Sequence, residues 1–300
     1  MPLWISITIA AAFLQNIRSA MQKHLKSVMG TTGATFVRFG FGIPFACLYW
    51  FILNYGLGMS APTLHATFFF WTVLASLAQI GGTFLLIHLF SFRNFAVGSA
   101  YSRTEPAQTA IFAAIILGEK IPLGGVFAIV ISIVGLMIIS VARTAITLRS
   151  FFTSLFSRTA LIGLTSGTFF GIAAAGYREA TLSLPSAEFL MQAATTLCVA
   201  IVFQSVVMLV WIFLREPAEL QKIGRAWKPA LAVGFFGASA SFGWFTAFTL
   251  QAAALVKVLA QVEMIFTFAA TVFVFRENIN RAEILGCLFI IAGIVVLVSV

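Results

Sequence analysis

Ten mostly apolar stretches, each close to the length that crosses a bilayer, occupy almost all of this 300-residue chain. A helix needs about 20 such residues to cross the hydrocarbon core, and irregular backbone is not tolerated against lipid. Residues 3–22, 33–54, 66–90, 96–117, 122–142, 159–181, 187–214, 229–250, 253–275 and 282–300 meet that requirement. Turn residues punctuate them: Gly56, Gly58 and Pro62 follow the second, Pro122 opens the fifth, Pro185 precedes the seventh and Pro229 opens the eighth. The expected fold is an all-α polytopic membrane protein with ten transmembrane helices. The first stretch has no basic residue before it and no small-residue cleavage site, so it is expected to be a retained span.

The chain also repeats itself. A shift of 158 residues lays Glu105 on Glu263, Glu119 on Glu277, Ile121 on Ile279 and Gly135 on Gly293 without a gap. His88 falls on Thr246, Phe90 on Phe248 and Ala96 on Ala254 by the same shift. Five spans per copy make the second copy cross the membrane in the opposite sense, so two inverted five-helix repeats are expected at 1–145 and 159–300. A basic, non-periodic linker at 146–158 joins them. Inverted repeats place a binding site between the halves, near the midplane, and let it open alternately to each side.

Only 9% of the residues are charged, against roughly 25% in soluble proteins. There is no Asp, which removes Asp-based metal sites and aspartic-protease dyads. His-Glu-x-x-His and a phosphate-binding loop are also absent, so neither an enzyme nor a cofactor is expected. Cys47, Cys198 and Cys287 lie far apart inside apolar segments and read as fillers. The net charge of +9 would point to nucleic acid in a soluble chain. Here it sits mainly in connections, so membrane lipid headgroups are the expected partner and nucleic acid is not. Connections after odd-numbered spans hold twelve Lys and Arg, and those after even-numbered spans hold only Lys120. That bias puts the odd connections and the linker in the cytoplasm and both termini outside a cell (inner) membrane.

The run Arg103-Thr104-Glu105-Pro106, followed by Ile116-Leu117-Gly118-Glu119-Lys120-Ile121, resembles the drug/metabolite transporter superfamily, specifically its EamA-type ten-span members. The second copy keeps Glu277 but has Met264 in place of the proline. The resemblance implies an exporter or exchanger of small metabolites, including amino acids. Bacterial relatives of this type are usually drawn with both termini in the cytoplasm, so the resemblance and the charge bias imply opposite orientations.

Charged groups at bilayer depth are costly, and they persist mainly along protected polar paths. Glu105 and Glu263 are therefore the first candidates for substrate binding or proton coupling; the alternative is a buried pair with an arginine. Arg38 is the expected partner of Glu105, because Arg103, two residues away, points some 200° from it on a continuous helix. Arg38 and Arg103 are alternatively suited to a substrate carboxylate. Arg18 is read as snorkelling from a span end. Tyr101, Glu105 and Gln108 follow i, i+4, i+7 spacing and share a face. Lys257 and Gln261 share another, with Glu263 turned away. Gln79 and Trp244 add a polar group and a wall to the candidate site, with interhelical glue and helix packing as the stronger alternative readings. Gly163, Gly167 and Gly171 form a small-residue stripe for close helix approach or a dimer surface; a monomer is expected rather than a homodimer.

The function expected is a secondary transporter, an exporter of amino acids or similar small metabolites, with a proton as a possible coupling ion. A channel or a non-transporting membrane scaffold is the alternative, with an intramembrane enzyme behind both.

Overall fold

A computed structural model of the chain describes residues 2–92, 101–116, 118–144, 157–185, 188–266 and 280–299. Residues 96–100 of the fourth stretch, 146–156 of the linker, and 267–275 of the ninth stretch lie outside these, as do Arg93, Arg149, Arg276, Glu277 and Ile279.

The described elements are helical throughout, with no strand among them: α1 Leu3–Leu25, α2 Thr31–Gly40, α3 Ile43–Phe51 continued by a π-helical turn Ile52–Gly56, α4 Ala66–Leu89, α5 Glu105–Ile116, α6 Leu123–Thr144, α7 Arg158–Ser183, α8 Phe189–Arg215, α9 Ala218–Arg225, α10 Trp227–Leu250, α11 Ala253–Leu259 and α12 Arg281–Ser299. Local chemistry sets several of these ends. Ser157 Oγ accepts from the Ala160 amide at the start of α7, and His65 Nδ1 accepts from the Phe68 amide at the start of α4. Past α5, Gly118 takes φ +65°, a left-handed conformation that closes a helix, and the Glu119 amide turns back to Ala113 O at 3.1 Å.

Among the described residues, six stretches are long and apolar enough to cross a membrane: Thr31–Gly56, Ala66–Leu89, Arg158–Ser183, Phe189–Arg215, Trp227–Leu250 and Arg281–Ser299. Leu123–Ile139 is a shorter apolar helix. Large apolar side chains such as Phe70, Ile115, Leu123, Phe213 and Leu214 point outward and are exposed. A hydrocarbon surround satisfies such a surface, whereas water would not.

The 158-residue shift carries α1 onto α7, α4 onto α10 and α6 onto α12, and the packing respects it. α1 runs antiparallel along α10: Ala11 abuts Gly243, and Arg18 lies against Gly237. α4 runs antiparallel along α7: Ala75 abuts Gly176, while Gly81 and Gly82 face Phe169 and Phe170. Under the shift these two pairs exchange. The pair α6–α12 maps onto itself, and its closest approach uses the repeated glycine. A Cβ on Gly135 would stand 2.6 Å from the Gly286 carbonyl, and one on Gly293 would meet Ser132 and Ala128. Backbones this close leave no room for a side chain.

Besides the second span, which has a turn at Phe41–Gly42, the two spans that carry the central acids are not continuous helices. The fourth is interrupted by a turn at Arg103–Thr104, and the ninth by a turn at Ala260–Gln261. Pro106 accounts for the first break: in the opening turn of α5 its missing N–H costs nothing, whereas deeper in a helix it would clash with the preceding turn. The second copy has Met264 there and breaks all the same. Gly167 and Gly171 receive the first broken segment, since a Cβ on Gly167 would stand 2.8 Å from Ser102 O and one on Gly171 3.1 Å from the Thr109 amide. These two members of the glycine stripe thus serve close packing inside one copy of the chain.

Candidate functional site

The breaks decide where the two central acids point. Each glutamate stands just past a turn, so side-chain directions do not follow one helical wheel through the span. Lys257 Nζ lies 2.7 Å from Glu105 Oε1, and Arg103 Nη1 lies 2.7 Å from Glu263 Oε1. Both ion pairs join one repeat to the other. This corrects the expected Arg38–Glu105 pair and gives Glu263 an arginine partner, Arg103, from the other repeat.

The pairs are connected. Lys257 Nζ sits 4.7 Å from the centre of the Trp244 ring and 5.6 Å from that of Phe248, within range of cation–π attraction. Trp244 Nε1 donates to Gln15 Oε1 at 3.0 Å, and Gln15 Nε2 reaches Glu263 Oε2 at 3.5 Å. A chain of contacts therefore runs Glu105, Lys257, Trp244, Gln15, Glu263, Arg103 and back along the backbone to Glu105.

This circuit borders a cavity of about 420 Å³, within the size range of small-molecule sites. α1 contributes Gln15, Asn16, Arg18 and Lys23, α2 contributes Arg38, and α4 contributes Gln79. Tyr177 of α7 and Phe245 of α10 supply aromatic wall. The cavity reaches Lys23 in the last turn of α1 and Phe90 just past α4. The antiparallel pairings put the C-terminal ends of α7 and α10 at the other end of the bundle. There Arg178 donates to Glu119, to the Phe248 carbonyl and, at 2.7 Å, to the Gln251 carbonyl. One guanidinium satisfies carbonyls that α10 leaves open at its end and ties them to the turn after α5.

Of the candidates read from sequence, Glu105, Glu263, Arg38, Arg103, Gln79, Lys257, Gln261 and Trp244 line the cavity. Gln79 Oε1 accepts from Tyr177 OH at 3.1 Å and from Gln204 Nε2 at 2.8 Å. Tyr101 and Gln108 are not among the lining residues. Tyr101 is buried before the break, and Gln108 donates to Thr104 Oγ1 at 2.8 Å beside Gly167. The turn at 103–104 separates Tyr101 from Glu105, whereas Gln108 shares α5 with Glu105. His88 stands between Phe84 and Phe92 near the end of α4, in an aromatic setting.

Sequence reasoning passed over Arg18. It is 4% exposed and lines the cavity, which replaces the snorkelling assignment. Gln15, Arg18 and Gln22, spaced three and four apart on α1, carried that signal.

The model described as "EamA-like transporter family" matches residues 2–141 and 157–299. Among curated proteins none matches the sequence. A solved structure described only as "Crystal structure of protein" superposes with a TM-score of 0.72 at 17% identity, covering 98% of this chain and 94% of that one. That likeness concerns the fold alone.

Proposed function

The chain belongs to the EamA-like transporter family, and on that premise we propose that it is a secondary transporter that exports amino acids or similar small metabolites by alternating access. It is an integral multi-pass membrane protein of a family of transporters rather than enzymes. In this reading ten spans form two oppositely inserted repeats, 1–145 and 159–300, joined by 146–158. The reciprocal antiparallel pairs α1–α10 and α4–α7 are what such an arrangement would give. The chain acts as a monomer in the cell membrane, with lipid as its surround and a proton as coupling ion. The basic odd-numbered connections face the cytoplasm.

The observation that carries the reading is the pair of cross-repeat contacts, Lys257–Glu105 and Arg103–Glu263, on the wall of one cavity. Any movement of one repeat against the other must break or re-form them, which makes them natural reporters of which side is open. Discontinuous helices meeting at a site between repeats are the usual construction of such carriers. In this reading the cavity opens at the end where Lys23 and Phe90 line it, and the Arg178 contacts tie the opposite end together.

The test is flux in proteoliposomes across a panel of labelled amino acids and small metabolites. Substrate-dependent flux that saturates supports the carrier; no flux of any member contradicts it. If Glu105→Gln and Glu263→Gln leave flux and its pH dependence unchanged, neither acid is the coupling group.

A further inference from the structure

The charges bordering the cavity do not balance. Glu105 and Glu263 are already engaged by Lys257 and Arg103. Arg18 and Arg38 face the same cavity and are nearly fully buried, at 4% and 5% exposure. Arg18 Nη2 donates to the neighbouring Ser19 hydroxyl at 3.1 Å, while its Nε and Nη1 are buried without a hydrogen-bond partner. Arg38 Nη1 donates to Thr83 Oγ1 at 2.9 Å. Among the described residues neither guanidinium is part of an ion pair.

The two arginines are also neighbours. A Cβ placed on Gly237 would meet Arg38 Cγ at 3.3 Å and Arg18 Cδ at 3.5 Å, so both stems rest on the same glycine of α10. Glycine at this point is what lets two long cationic side chains lie over one helix. Glu263 attracts Arg18 through space, but its carboxylate is committed to Arg103 and Gln15. Two buried like charges repel, and a buried charge without a counter-ion is among the costliest arrangements a protein holds. A ligand that supplies the missing negative charge removes both penalties.

We propose that Arg18 and Arg38 form a carboxylate-binding subsite, and that the transported compound is an organic carboxylate whose apolar body rests against Phe170, Tyr177 and Phe245. A guanidinium presents a planar donor fork that matches a carboxylate's two oxygens, and Arg18 has two N–H-bearing nitrogens with nothing to bond. The aromatic side chains that line the same cavity take the rest of the molecule. This rests on the carrier reading for the word transported, and on the cavity alone for binding.

The test is equilibrium binding rather than flux. The purified protein in detergent is heated with 3-phenylpropionate, with its amide, with 2-phenylethylamine and with phenyl phosphate. A ligand that binds only the folded protein raises Tm with concentration. The expected result is stabilisation by 3-phenylpropionate, little or none by the amide or the amine, and a weaker effect of phenyl phosphate. Arg18→Gln and Arg38→Gln are each expected to weaken the carboxylate by roughly tenfold or more, the loss of one charge-assisted contact. Arg38→Lys, which keeps the charge without the fork, covers the case in which a glutamine variant does not fold, and is expected to retain part of the binding. Stabilisation by the amide or amine as strong as by the acid overturns the subsite, as does a stronger effect of phenyl phosphate, no effect of the carboxylate on the wild-type protein, or full binding in folded Arg18→Gln. Carboxylate binding without flux leaves the subsite standing and removes the carrier reading. Saturable flux of cationic compounds with the acid inert does the reverse.

Discussion

Lys257 Nζ stands 2.7 Å from Glu105 Oε1, joining a base of the second repeat to an acid of the first. The two side chains are 13% and 18% exposed, so the pair is largely withdrawn from water and cannot be treated as a surface contact. Arg103–Glu263 is its counterpart, but Arg103 is 32% exposed, and the second pair is correspondingly more solvated. The acids correspond under the 158-residue shift, whereas their partners do not: Arg103 corresponds to Gln261. The two acids therefore hold unequal positions.

Removing one member of the first pair strands the other. Breaking a buried ion pair costs about 3–5 kcal/mol, and the partial exposure here puts the expected loss at or below the lower end. Glu105→Gln and Lys257→Met should each lower the unfolding temperature in detergent, by similar amounts, because both side chains border the same cavity. The exchange Glu105→Lys with Lys257→Glu should recover part of the loss. Equal destabilisation by the double exchange and the worse single change would mean the contact contributes nothing.

The crossing of α6 and α12 should tolerate no side chain. Gly135→Ala puts a methyl 2.6 Å from the Gly286 carbonyl, and Gly286→Ala puts one 2.6 Å from the Gly135 carbonyl. Overpacking against backbone costs about 1–3 kcal/mol, since neither carbonyl can swing aside as a side chain would. Gly224, within α9, has nothing within 4 Å of its Cβ direction. Gly224→Ala should be neutral or stabilising by up to about 1 kcal/mol through helix propensity. Thermal unfolding of the three variants side by side checks the contrast.

What the sequence disclosed and what it hid follow from these particulars. The shift that aligned Gly135 with Gly293 pointed to a real structural correspondence, because close backbone approach admits so few residue types. Both acids it aligned stand in ion pairs that link the first half of the chain to the second. It missed their partners because periodicity reports a shared face only along an unbroken helix, and the chain breaks at 103–104 and at 260–261. Pro106 was visible, yet a proline inside an apolar run is compatible with a kink, a break or a helix start. Ala260–Gln261 gives no such signal at all. Arg18 was misplaced for a different reason: distance from a span end says nothing about whether a side chain faces lipid, headgroups or a cavity.

Arg178 should control the far end of the cavity. It links α7 to Glu119 and to the last carbonyls of α10. With Cys47, Cys198 and Cys287 replaced, Gln251→Cys should react slowly with a membrane-impermeant maleimide, and several times faster once Arg178→Gln is added. An unchanged rate would show that other contacts close this end.

Orientation has a direct readout. Ser27, after α1, and Ser60, before α4, are both exposed and lie in connections of opposite parity. If the basic connections face the cytoplasm, impermeant label added to intact cells reaches Ser60→Cys, and reaches Ser27→Cys only after permeabilisation. The reverse pattern would assign the opposite insertion.

Alternating access itself is tested most directly by counterflow. Liposomes containing the protein are loaded with an excess of an unlabelled compound that the protein is found to carry, and its labelled form is added outside at low concentration. A carrier whose cavity opens to one side at a time predicts transient accumulation of label above the outside concentration, faster than in unloaded vesicles, and lost when Glu105→Gln and Glu263→Gln uncouple the repeats. Label that merely equilibrates, at a rate indifferent to the internal load, would contradict the account and indicate a channel.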